Sequence, residues 1–217
     1  MVSKAIAYAV GVLEVNASMG LIVAAPTAGS SGVIPGVCCS LQENYGFTDE
    51  EICQALFNAA AVGYLITRNA TTAGAEGGCQ AEVGAASAMA ASAAVELFGG
   101  TPAQCLDAAS FAIVNILGLV CDPIGGLVEN PCQNRNAMGA SNALISAELL
   151  WRESRASPRL TRPSVSCMRW DGRFRQNSGR LPWAVWRSRR AHVRLARHVQ
   201  RKLKNEEKNS WQLIKGI

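Results

Sequence analysis

Residues 79–98 read Cys-Gln-Ala-Glu-Val-Gly-Ala-Ala-Ser-Ala-Met-Ala-Ala-Ser-Ala-Ala-Val-Glu-Leu-Phe, between Gly77-Gly78 and Gly99-Gly100. The run is long enough for five helical turns and has almost no bulk, and the glycine pairs mark where a helix stops. A helix built from alanine and other small residues lets its neighbours approach closely, and tight packing is a sufficient reason for the composition. Such a segment needs partners around it, and the rest of the first 151 residues supplies helical patterns and no convincing strand pattern or repeat. The fold class expected is all-α: a compact helical domain with Gly-rich loops.

The flanking helices announce themselves by their caps. Thr48-Asp49-Glu50-Glu51 is a capping box that opens a helix with Ile52, Leu56, Ala59, Gly63 and Ile66 on one stripe. Thr101-Pro102-Ala103-Gln104 is a second, with Pro at the first helical position. Its stripe is Cys105, Ala109, Ala112, Ile113, Ile116 and Val120, so Cys105 reads as core. Residues 2–16 form an amphipathic pattern with Ile6, Val10, Leu13 and Ala17 on one face. A last helix is expected from about Arg135 to Trp151, and Asn69 to Gly78 reads as a loop.

Charge divides the chain in two. Residues 1–151 carry three basic and twelve acidic side chains, a net of −9, whereas residues 152–217 carry eighteen and four, a net of +14. The overall +5 describes neither part. The first part has no histidine, so histidine chemistry there requires another chain. Residues 152–217 form a basic Arg/Trp-rich tail with fourteen Arg against four Lys and no sustained periodicity before about residue 186. Three readings of it stand: a nucleic-acid-binding tail, a solvated disordered tail, and an out-of-frame, non-native extension, which the abrupt change of usage favours.

Seven of the eight cysteines precede residue 151, an odd number in an Ala- and Gly-rich domain. That argues against a secreted disulfide framework and for a reducing compartment. The start lacks a convincing signal peptide and no stretch reaches the ~20 strongly apolar residues that span a bilayer, so the expected location is cytoplasmic. Cys79 follows Gly77-Gly78. Cys121 and Cys132 lie eleven residues apart around Gly125-Gly126, with Pro123 and Pro131 beside them. Prolines and paired glycines put these thiols on loops at helix ends, which suits a metal cluster; free cysteine is also a common buried apolar residue. The small-residue stretch Ala28-Gly29-Ser30-Ser31-Gly32 precedes a helix expected near Val33–Pro35. It reads either as an anion nest of backbone N–H groups or as an ordinary tight connection. No Lys follows its glycines, which excludes a P-loop.

Four blocks carry a resemblance: Asn16-Ala17-Ser18-Met19-Gly20; Ala25 through Gly36; Gly78-Cys79-Gln80-Ala81-Glu82-Val83-Gly84; and Gly118 through Ala140. In this order they resemble the alpha chain, or alpha part, of iron–sulfur-dependent L-serine dehydratase (L-serine ammonia-lyase), over about residues 4–151. The chain resembles an alpha part short of the family's N-terminal segment. The resemblance implies that Cys79, Cys121 and Cys132 hold a 4Fe–4S cluster with one iron open to substrate. It implies that Ser18, Thr27, Ala28, Gly29, Ser30, Ser31 and Gly32 bind L-serine, with Arg135 and Asn136 beside them. Arg135 either balances substrate or cluster charge or pairs with Glu129. The implied reaction gives pyruvate and ammonia, with the base on a separate beta chain or domain. An inactive truncated or frameshifted product and a nucleic-acid-binding protein are the alternatives.

Overall fold

The computed structural model describes residues 1–121 and 129–156. The Gly125-Gly126 loop and nearly all of the basic tail lie outside them. The expected all-α class holds: no strand occurs among the described residues. The helices are α1 (Val2–Ala17), α2 (Val33–Tyr45), α3 (Asp49–Asn69), the single turn α4 (Gly74–Gly77), α5 (Cys79–Leu97), α6 (Pro102–Val114) and α7 (Glu129–Ala156). A short 3-10 turn, Ala28–Ser30, precedes α2. No helix among the described residues is long and apolar enough to cross a membrane.

The alanine-rich helix α5 is the centre. Fifteen of its nineteen residues are buried, and α2, α3, α6 and α7 pack around it. A helix that is apolar on all sides is stable only inside such a ring. Helix α1 lies across α2 and α7. Both expected capping boxes form. Thr48 accepts from Glu51 N and Thr101 accepts from Gln104 N, while each partner side chain returns to the cap's own N–H.

Several buried faces differ from those the apolar spacing indicated. In α1 the buried residues are Ala5, Ala9 and Leu13, while Ile6 is 36% exposed. The reason lies in α2. A Cβ at Gly32 would stand 2.2 Å from the Ala9 carbonyl oxygen, and one at Gly36 would stand 2.7 Å from that of Ala5. The two backbones meet along a seam that only small residues fit, so bulk is turned aside. In α3 the buried set is Ala55, Ala59, Val62 and Gly63, with Leu56 outside. Helix α6 stops at Val114, so Ile116 is buried from a turn and Val120 is 62% exposed. The loop expected over Asn69–Gly78 contains α4, and the last helix starts earlier than expected and continues past Trp151 to Ala156.

Buried polar side chains join the inner helices. Ser87 on α5 donates to the Gly139 carbonyl at 2.9 Å, and Asn142 on α7 donates to Ser87 Oγ at 2.9 Å and to the Ala112 carbonyl at 2.8 Å. Asn115 donates to Asn142 Oδ1 at 2.9 Å. In a low-dielectric interior each of these groups needs its partner, so the set fixes the relative position of α5, α6 and α7.

Candidate functional site

The cysteines come together where the start of α5 meets the chain leaving α6. Gly78 adopts φ +71, and a Cβ there would meet Leu119 O, Val120 Cα and Cys121 N at 3.1–3.3 Å. Gln80 N donates to Leu119 O at 2.8 Å, and Gly118 N donates to Gln80 Oε1 at 2.8 Å. These bonds lay the 118–121 segment against the first turn of α5. Cys79 is the first residue of α5 and fully buried, Cys121 is exposed on its loop, and Cys132 is partly buried in the first turn of α7. The expectation that all three lie on loops is therefore corrected for Cys79 and Cys132, which lie in the first turns of helices, and holds for Cys121. Pro131 sits within the first turn of α7, where its missing N–H costs no helical hydrogen bond, so the helix forms through it.

Arg135, one turn after Cys132, donates from Nη1 to Cys79 Sγ at 2.9 Å. Burial pushes the Cys79 thiol up; the Arg135 hydrogen bond and charge oppose this, while the charges of Cys121 and Glu82 add to it. Burial likewise raises Cys132, to about 11, with further push from Cys79, Glu82 and Cys121 against Arg135. The charges of the three thiols thus act on one another. Among the described residues no group of three or more His, Cys, Asp or Glu side chains is arranged to hold a metal ion, and residues 122–128 between two of the thiols lie outside them. The donor chemistry suits a thiophilic metal centre: three thiols, one guanidinium already directed at sulfur, and backbone N–H groups at a helix start.

The second half of the site is the turn before α2. Asn136 on α7 is fully buried and ties it down. Its Nδ2 donates to Gly29 O at 2.7 Å and to Cys132 O at 2.8 Å, and its Oδ1 accepts from Gly32 N at 3.1 Å. Within the turn, Thr27 Oγ1 and Ser30 Oγ lie 3.0 Å apart, and Ser31 Oγ donates to Ala28 O at 2.7 Å. The N–H groups of Ser30 and Ser31 are bonded to Thr27 O and Ala28 O. A nest made of the whole stretch is therefore not what forms. Three of its N–H groups are occupied, and those of Ala28 and Gly29 take part in none of the described hydrogen bonds.

Thr27, Ala28, Gly29, Ser30, Ser31 and Gly32 are thus joined through Asn136 to the backbone of Cys132, one turn from Arg135. Ser18 is not drawn in: it caps α1, its Oγ donating to Glu14 O at 2.8 Å. Asn16, which sequence reasoning did not single out, reaches the turn instead, donating to Ala28 O at 3.3 Å.

A second residue that sequence reasoning passed over is Glu82. It accepts a hydrogen bond from Thr27 Oγ1. A Cβ at Gly29 would stand 2.6 Å from its Oε1, and one at Gly74 would stand 2.6 Å from its Oε2. Its sequence signals were its place in the Gly78–Gly84 block and in the first turn of the helix that Cys79 opens.

A domain of small-residue helices, with thiols and a polar turn gathered at one end, defines a helical protein with a cysteine-centred site. The model of the serine dehydratase alpha chain family matches residues 1–172. The chain is 58% identical over 147 residues to the L-serine dehydratase alpha chain of Peptoniphilus asaccharolyticus, covering 68% of this chain and 50% of that one. It is 53% identical over 149 residues to the probable L-serine dehydratase alpha chain of Bacillus subtilis (strain 168), covering 69% and 50%. Against the L-serine dehydratase of Streptomyces coelicolor the identity is 44% over 146 residues, covering 67% and 32%. This chain belongs to the serine dehydratase alpha chain family. It spans about half the length of the Peptoniphilus asaccharolyticus and Bacillus subtilis alpha chains.

Proposed function

We propose that this chain supplies the cysteine-bearing half of an L-serine dehydratase site, which removes water and ammonia from L-serine to leave pyruvate. The observation that carries the reading is the joining of the Thr27–Gly32 turn to the thiol site through Asn136 and Cys132. Cys79, Cys121 and Cys132 would hold a 4Fe–4S cluster, which supplies a Lewis acid at an open iron to make the β-hydroxyl a better leaving group. Every other contribution comes from the polypeptide.

The turn presents the Ala28 and Gly29 N–H groups to a carboxylate. Asn136 holds that turn at a fixed distance from the thiols. Arg135 places positive charge at the Cys79 sulfur, favouring its thiolate form over what burial alone would allow. No histidine occurs in residues 1–151, so a histidine base for the Cα proton would come from outside them, and we assign the base to a beta chain or beta part. The turn and Asn136 orient the substrate for it.

The test is anaerobic reconstitution with iron and sulfide, followed by metal counts and a visible absorption spectrum. About four irons per chain are expected, with marked loss in Cys79→Ser, Cys121→Ser and Cys132→Ser and none in Cys105→Ser. With a beta partner added, pyruvate formation from L-serine follows the same pattern. Iron content indifferent to the three cysteines would sink the reading.

A further inference from the structure

Glu82 is unusual for a carboxylate in this domain. It lies in the first turn of α5, half-buried, with one oxygen bonded to Thr27 Oγ1. It lies close against Gly29 and Gly74: a methyl at either would stand 2.6 Å from a carboxylate oxygen. Among the described residues it has no cationic partner; the ion pair found there joins Lys4 to Glu43 elsewhere. Arg135, the nearby cation, directs Nη1 at the Cys79 sulfur. A half-buried carboxylate without an ion-pair partner among the described residues can accept a cation from a ligand.

The turn that Glu82 contacts has the complementary property. Gly29 carries an N–H outside the described hydrogen bonds, and the Glu82 carboxylate lies against the same residue. Donors for a carboxylate and an acceptor for a cation thus meet at one point, the pattern that suits a zwitterion. We infer that Glu82 receives the α-ammonium group of an amino acid whose carboxylate lies on the Ala28–Gly29 turn. The inference rests on the proposed serine site and adds the residue that reads the ammonium. Glu82 thereby distinguishes an α-amino acid from a hydroxy acid of the same length. No covalent step is involved; the ammonium displaces water from the carboxylate.

The test uses calorimetric titration of the reconstituted full chain with L-serine and with 3-hydroxypropanoate, which keeps the carboxylate and β-hydroxyl but lacks the ammonium. A charge-assisted hydrogen bond of this kind corresponds to about tenfold or more in affinity. Wild type is expected to prefer L-serine by about that factor. Glu82→Gln, whose amide oxygen still accepts from Thr27, is expected to lose the preference, weakening L-serine about tenfold and leaving 3-hydroxypropanoate within about threefold. If Glu82→Gln fails to fold, Gly74→Ala serves instead, because its methyl displaces the carboxylate without removing the charge, and the same loss of discrimination is expected. Equal weakening of both ligands would make Glu82 a brace for Thr27 and overturn the inference while sparing the serine site. Binding of neither ligand to wild type would overturn the serine site and this inference together.

Discussion

Asn136 and Gly29 are 107 residues apart in sequence and joined at 2.7 Å, the Asn136 amide donating to the Gly29 carbonyl. The same buried side chain holds Gly32 N and Cys132 O. One residue therefore sets the spacing between the turn and the thiols. Asn136→Ala leaves the Gly29 carbonyl and the Gly32 N–H without this partner, whereas Cys132 O keeps its helical bond, at an expected cost of about 2–4 kcal/mol. Asn136→Asp keeps the acceptor for Gly32 but loses both donors and buries a charge. Urea titration of the two variants checks this. A loss under about 0.5 kcal/mol for Asn136→Ala would show the turn to be held by other means.

The seam between α1 and α2 makes a prediction of opposite sign at two kinds of glycine. Gly32→Ala brings a methyl to 2.2 Å from the Ala9 carbonyl, and Gly36→Ala to 2.7 Å from that of Ala5. The obstacle is backbone, so a helix must move, and about 2 kcal/mol or more is expected to be lost in each. Gly84 lies within α5 with nothing within 4 Å of its Cβ position. Gly84→Ala is expected to gain about 0.5–1 kcal/mol from the restricted unfolded chain. Thermal melts of the three variants decide it, and equal destabilisation by all three would refute the seam.

The polar set between α5, α6 and α7 predicts strong coupling. Asn142 serves Ser87, Ala112 and Asn115 at once. Asn142→Ala is expected to cost about 2–4 kcal/mol. Because Ser87→Ala removes one partner of the same set, the double variant should cost less than the sum of the single ones by about 0.5–3 kcal/mol. Strict additivity in denaturant midpoints would mean that the two residues act separately.

What was legible in the sequence was local. Thr48 with Glu51 and Thr101 with Gln104 lie three residues apart and need no other part of the fold to act as caps. The all-α class follows from the same signals. The buried faces were less legible, since Ile6 and Val10 outweigh Ala5 and Ala9 on any hydrophobicity scale. What excludes them is the backbone of α2, brought alongside α1 by the rest of the fold. Glu82 was passed over for the same reason: Thr27, its partner, is 55 residues away. The helical position of Cys132 turned on Pro131, which breaks a helix interior but is compatible with a first turn.

The buried thiols predict an alkaline limit to stability. Burial raises Cys38 from its ordinary value of 9.0 to about 12, with a contribution from Cys39, and raises Cys105 to about 11. A folded-state value above the unfolded one means that the native state holds its proton after the unfolded chain has lost it. The stabilisation is complete below about pH 9 and falls as pH rises through 11 for Cys105 and 12 for Cys38. Across that window each thiol removes up to about 1.4 kcal/mol per pH unit. Urea midpoints measured from pH 8 to pH 11 should therefore decline, and the decline should be shallower in a Cys38→Ala/Cys105→Ala double variant. That variant is less stable at pH 8, because it leaves small cavities, so the slope is the quantity to compare. An unchanged slope would assign the alkaline loss to other groups, the raised thiols Cys79 and Cys132 among them.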